Sequence, residues 1–139
     1  MNNTRIALAS VISPLIAISI FSVGGLFYTD KPLEVLWWVG ILLIFGFPLV
    51  AVVGLPGYLL LNKYKFKSIY SYGIAGIAGG LVASAVVILP IAISGLRYSD
   101  LSYIPNFVYS QRYLAYLIIA MSLITALIFW FIGIRNNKG

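Results

Sequence analysis

Four long apolar runs, 6–28, 34–61, 69–96 and 113–134, account for most of the chain, and every charge except the boundary Glu34 falls between or outside them. The apolar residues come in unbroken blocks rather than in the alternation expected of a barrel strand. Each block therefore predicts a membrane-spanning helix. At about 1.5 Å of rise per residue, the shortest of them covers a hydrocarbon core of about 30 Å. The fold class expected is all-α: a polytopic membrane protein whose four transmembrane helices form one up-down-up-down bundle over residues 1–139.

Within the blocks, small residues recur at helical spacing. In the first, Ala9, Ser13 and Ala17 repeat every fourth position and form a smooth stripe, with Pro14 beside it. The third carries the strongest such signal. Gly76 and Gly80 form a G-x-x-x-G pair, Gly73 lies on an adjoining row and Ser84 continues the face, so a partner backbone can approach closely and gain van der Waals contact. The four are assigned to helix packing, with the third span expected at the centre of the bundle. The partner is either another helix of this chain or a second copy. In the second block, Gly54, Pro56 and Gly57 within Val53-Gly54-Leu55-Pro56-Gly57 mark a candidate helix break, of the kind that exposes backbone groups at substrate sites in some transporters. Trp37 and Trp38 mark that span's outer interface.

The polar connections set the topology. Asp30 and Pro32 predict a capped tight turn into the second span, with Glu34 near its N-terminus. The central stretch Asn62-Lys-Tyr-Lys-Phe-Lys-Ser-Ile-Tyr-Ser71 has lysines at alternate positions, and an extended strand there would point the charges one way and Tyr64 and Phe66 into the interface. Alternate connections hold Arg5, Lys63, Lys65, Lys67, Arg135 and Lys138 with no acid, against Lys31, Arg97 and Arg112 with Asp30, Glu34 and Asp100. Six cations against three predict that both termini and the lysine loop are cytoplasmic. The first block is too long for a signal-peptide core and is expected to stay as a helix.

Composition agrees with this picture: 62% of the 139 residues are hydrophobic and 9% are charged, with a formal net charge of +6. It also excludes function classes. No cysteine is present, which removes thiol redox chemistry and thiolate metal sites, and no histidine, which removes imidazole relays and histidine-held haem. Apart from the boundary Glu34, no charged residue lies inside a span, whereas small multidrug-resistance exporters, of similar size, depend on a glutamate in the first helix. Tetraspan junction proteins need an extracellular cysteine pair, and the polar pore residues of small fluoride channels have no obvious counterpart. The glycines fit no phosphate-binding pattern. No cofactor, metal or nucleic-acid partner is expected, and no enzymatic activity.

The run Val53-Gly54-Leu55-Pro56-Gly57-Tyr58-Leu59-Leu60-Leu61, followed by a basic loop and a glycine-rich span, resembles a pattern in small uncharacterised four-span bacterial inner-membrane proteins. The resemblance covers roughly the middle third of the chain and implies a fold and a compartment, the cell inner membrane, without an activity. The function expected is binding of a membrane or periplasmic protein, of immunity or accessory type, with homo-oligomerisation open. The alternative is an oligomeric channel or small-solute transporter that uses the break in the second span. The longest connection, 97–112, is the candidate recognition loop, lying at the interface with Arg97, Tyr98, Tyr103, Phe107, Tyr109 and Arg112 as its contact residues.

Overall fold

A computed structural model describes residues 3–28, 30–95 and 103–135. Among these residues the chain is helical throughout apart from its short connections. Helix α1 is Asn3–Tyr28, α2 is Pro32–Leu49 and α3 is Leu55–Lys63, the last two joined by a π-helical turn over Val50–Gly54; α4 is Ile69–Gly95, α5 is Tyr103–Ser110 and α6 is Arg112–Phe129, continued by a second π-helical turn over Trp130–Ile134. Joined in this way, four stretches, Asn3–Phe27, Pro32–Lys63, Ile69–Ser94 and Arg112–Ile134, are long and apolar enough to cross a membrane. These are the four blocks of the sequence, within a few residues.

The helices hold because their polar atoms are satisfied internally, as an apolar medium requires. Ser10, Ser13, Ser19 and Ser22 each donate their hydroxyl to the carbonyl four residues earlier in α1, at 2.6 to 2.8 Å. Pro14 and Pro90 lie inside α1 and α4 without ending them. At the start of α2 the expected geometry is half met. Pro32 occupies the first turn and Glu34 follows it, but the residue at the cap is Lys31, with no side-chain cap bond; Lys31 instead pairs with Glu34 at 3.4 Å, one turn on. Asp30 is therefore not the cap. Ser68 does cap α4, accepting a 3.3 Å bond from the Tyr70 amide.

Packing is led by the small-residue stripes. Ala9, Ser13 and Ala17 are all fully buried, and Tyr72, Gly76, Gly80, Ala83, Ser84, Ile88 and Ala92 form a buried line along α4. Both stripes close on the fourth span. A side-chain carbon added at Gly80 would lie 2.7 Å from the Ile119 Cα, and one at Gly76 would lie 2.8 Å from the Ala126 Cβ and 3.0 Å from the Leu123 Cα. At the end of the span, one added at Gly133 would lie 3.2 Å from the Ala9 Cβ. One added at Gly73 would lie 3.8 and 3.9 Å from the tips of Leu123 and Leu127, an ordinary clearance. The partner of the G-x-x-x-G pair is thus a helix of the same chain. The helix on which the two stripes converge is the fourth span, not the third: α4 presents glycines, and α6 supplies the larger residues that fill against them.

These contacts fix relative directions. Gly73, Gly76 and Gly80 meet α6 residues in descending order, so α4 and α6 are antiparallel. Gly25 on α1 lies near Val35 on α2, and Gly79 on α4 lies near Val53 in the π-helical turn. The second span therefore leans from α1 at one end of the bundle towards α4. Among the described residues it is the least enclosed of the four, with none of its most apolar stretch buried.

Candidate functional site

Three places in the structure bear on function, one at each end of the bundle and one within the second span. The first is the corner between α5 and α6. The described part of the segment expected at the interface forms the eight-residue helix α5, in which Ile104 and Phe107, three residues apart, are half-buried while Val108 and Tyr109 are exposed. Helical hydrogen bonding carries through the junction, as the Gln111 amide donates to the Phe107 carbonyl at 3.0 Å and the Ala115 amide to the Gln111 carbonyl at 3.1 Å. Residues 109, 112, 113 and 116 consequently share one face. The Arg112 guanidinium lies 4.2 Å from the ring centre of Tyr109 and 4.7 Å from that of Tyr113. Its two terminal nitrogens donate to the Tyr109 carbonyl at 3.1 Å and the Tyr113 hydroxyl at 3.4 Å. Cation–π contact and hydrogen bonds together hold the guanidinium in one pose.

Of the six residues proposed for recognition, the structure brings Tyr109 and Arg112 together and turns Phe107 partly inward. Arg97, Tyr98 and the side chain of Tyr103 lie outside the described residues. Tyr113 and Tyr116, 70% and 63% exposed, extend the patch into α6. Sequence reasoning missed both because it ended the connection at Arg112. The spacing Tyr109, Arg112, Tyr113, Tyr116 is nevertheless a helical i, i+3, i+4, i+7 pattern and was there to be found.

The second place is the candidate break. Gly54 has φ −73° and ψ −40°, within the right-handed helical region, and Pro56 occupies the first turn of α3. The break is thus a widened turn, not an unwound segment, which corrects the reading of Gly54, Pro56 and Gly57 as a place where backbone groups come free by unwinding. The cause is local. Pro56 has no amide to give the Val52 carbonyl and crowds it, and a π-helical turn immediately upstream shifts the hydrogen-bond register to accommodate that. Val53 within this turn meets Gly79, where an added carbon would lie 3.2 Å from its Cγ1. Gly57 has open space where a side chain would go.

The third place is the end of the bundle opposite α5. The Lys65 amide donates to the Asn62 carbonyl at 3.1 Å and the Phe66 amide to the Leu61 carbonyl at 2.9 Å, the paired bonds of a Schellman cap closing α3. Lys65 takes the left-handed position with φ 57°, where glycine is usual. The lysine stretch therefore begins as a tight reversal, because the helix end claims those amides, and the alternation of charges and rings that an extended chain would give does not apply there. Tyr64 and Phe66 are brought to 6.3 Å between ring centres. Across 63 residues of sequence, the Trp130 indole N–H donates to the Lys67 carbonyl at 2.8 Å. Beneath this bond, Phe129 packs edge-on to Tyr58 at 5.5 Å and stacks with Tyr72 at 6.2 Å. No sequence motif signals this aromatic clasp.

Among the described residues no group of three or more histidine, cysteine, aspartate or glutamate side chains could hold a metal ion. The fold and these sites define a four-span helical protein of membrane-crossing dimensions. No family profile, curated protein or solved structure matches the chain.

Proposed function

We propose that this is a non-enzymatic protein of the cell inner membrane, of immunity or accessory type, which binds a membrane or periplasmic protein through the α5–α6 corner. The observation that carries the reading is the Arg112 guanidinium held between Tyr109 and Tyr113, both largely exposed. Tyrosine and arginine are the residues most often found at energetic centres of protein interfaces, and a side chain already held in position loses little freedom on binding. In this proposal the bundle runs up-down-up-down with both termini and the lysine turn cytoplasmic, following the excess of cations at that end. The α5–α6 corner then faces the periplasm. A reporter active only outside the cytoplasm is expected to be silent when fused after Gly139 and active in the connection at Ser102; the reverse pattern overturns the orientation.

Partner binding is tested by isolating the protein in mild detergent with its native partners, then repeating with Tyr109, Arg112 and Tyr113 changed to alanine. Loss of a stable partner by a variant with unchanged melting supports the site. Retention at full strength overturns it.

A second reading, an oligomeric channel or small-solute transporter, is favoured by the π-helical turn over Val50–Gly54, since such turns recur at functional sites. It predicts ion or solute flux in proteoliposomes that Gly79→Leu abolishes through its contact with Val53.

A further inference from the structure

The cations of one end of the bundle come from three separate stretches of chain, and the fold brings those stretches together. The Trp130–Lys67 hydrogen bond holds the lysine turn on the end of the fourth span. Arg135 follows directly, its amide donating to the Trp130 carbonyl at 2.9 Å. The Gly133–Ala9 contact brings the first turn of α1, with Arg5, to the same end. Arg5, Lys63, Lys65, Lys67 and Arg135 thus share one end of the bundle, and among the described residues no acid accompanies them; at the other end Lys31 and Arg112 are offset by Asp30 and Glu34.

We infer that this basic end is a binding surface for anionic phospholipid headgroups. Three features argue for it. Five cations fall within the range of four to eight at which clusters beside a membrane span bind anionic lipid, which the three lysines of the turn do not reach alone. Tyr64 and Phe66, both exposed, supply aromatic groups suited to headgroup depth beside the charges. Lys65 occupies a backbone position that glycine would fill without strain, so a charge stands where the turn itself does not call for one. Setting the topology requires only that the lysines be present during insertion. It does not require the folded turn to be fastened to Trp130. The inference rests on the chain crossing a membrane with this end cytoplasmic, as proposed above, and is independent of the α5–α6 partner.

The test uses the full-length protein in detergent, titrated separately with cardiolipin, phosphatidylglycerol and phosphatidylcholine, with bound lipid counted by native mass spectrometry. The test variant is Lys63→Gln, Lys65→Gly, Lys67→Gln, in which glycine keeps the turn; Lys31→Gln with Arg112→Gln controls for charge at the other end. Each lysine near an anionic surface contributes about a factor of five, so the triple variant is expected to bind the two anionic lipids about a hundredfold more weakly. The control is expected to bind them as the unmodified chain does, and phosphatidylcholine to bind weakly to all three. Equal retention of anionic lipid by the triple variant, or equal binding of phosphatidylcholine, overturns the proposal. So does displacement by millimolar inorganic phosphate, which marks a site for the free anion rather than for a headgroup at the membrane. Melting of the triple variant at or above that of the unmodified chain ensures that lost binding is not lost folding.

Discussion

At the scale of single residues, the glycines of α4 are not equivalent, and the distances rank them. A side-chain carbon added at Gly80 or Gly76 would lie 2.7 or 3.0 Å from α6 backbone, so a methyl group forces the two helices apart, whereas one added at Gly73 would meet flexible leucine tips at 3.8 Å or more. Gly76→Ala and Gly80→Ala are expected to destabilise by about 1–3 kcal/mol, the usual cost of overpacking. Gly73→Ala is expected to be neutral or to stabilise by up to about 1 kcal/mol through helix propensity. Thermal melting in detergent checks the order, and a Gly80→Ala protein as stable as Gly73→Ala shows that the helices do not approach so closely. Lys65 offers the opposite test. A left-handed conformation costs an ordinary residue about 1–2 kcal/mol, so Lys65→Gly is expected to raise stability by about that amount while lowering anionic-lipid binding about fivefold. A fall in stability shows that the lysine side chain supports the turn.

At the scale of elements, the bond between the lysine turn and the fourth span is the most informative contact. Trp130→Phe keeps an aromatic ring at the position and removes only the donor to the Lys67 carbonyl, for an expected loss of about 1 kcal/mol. The effect should be local. Amide exchange is expected to quicken at residues 64–68, next to the freed carbonyl, and to stay unchanged in the buried middle of α1. Uniform quickening across all helices contradicts the assignment of this bond to the end of the bundle alone. The second span presents the converse case. Added side-chain carbons at Gly40 and Gly46 would meet nothing within 4 Å, so alanine at either is expected to be tolerated in the isolated protein.

At the scale of the whole molecule, the apolar blocks and the division of charge were legible in the sequence because each is a property of a single segment, of the kind a membrane-crossing chain requires. A span must be about 20 apolar residues long whatever its neighbours, and cations collect on one side whatever the packing. For the same reason the stripe of Ala9, Ser13 and Ala17 and the faces containing Gly76, Gly80 and Ser84 could be read as contact surfaces before their partners were known. Their partner could not, because closeness between helices distant in sequence depends on how the whole bundle closes; a smooth face fits another span of the chain or a second copy equally well. Local reading failed where one segment met another. The conformation of the lysine stretch depends on the cap of α3 and the Trp130 indole, which take up its backbone groups, and the residues around Pro56 read as broken although a π-helical turn absorbs the missing hydrogen bond. By itself, then, the sequence determined four membrane-length helices, a charge asymmetry and two small-residue faces, since each depends only on composition and spacing within one segment. Tertiary structure alone decided that α4 and α1 close on the fourth span, that Arg112 is held between two tyrosines, and that five cations from three segments share one end, because these depend on which segments become neighbours.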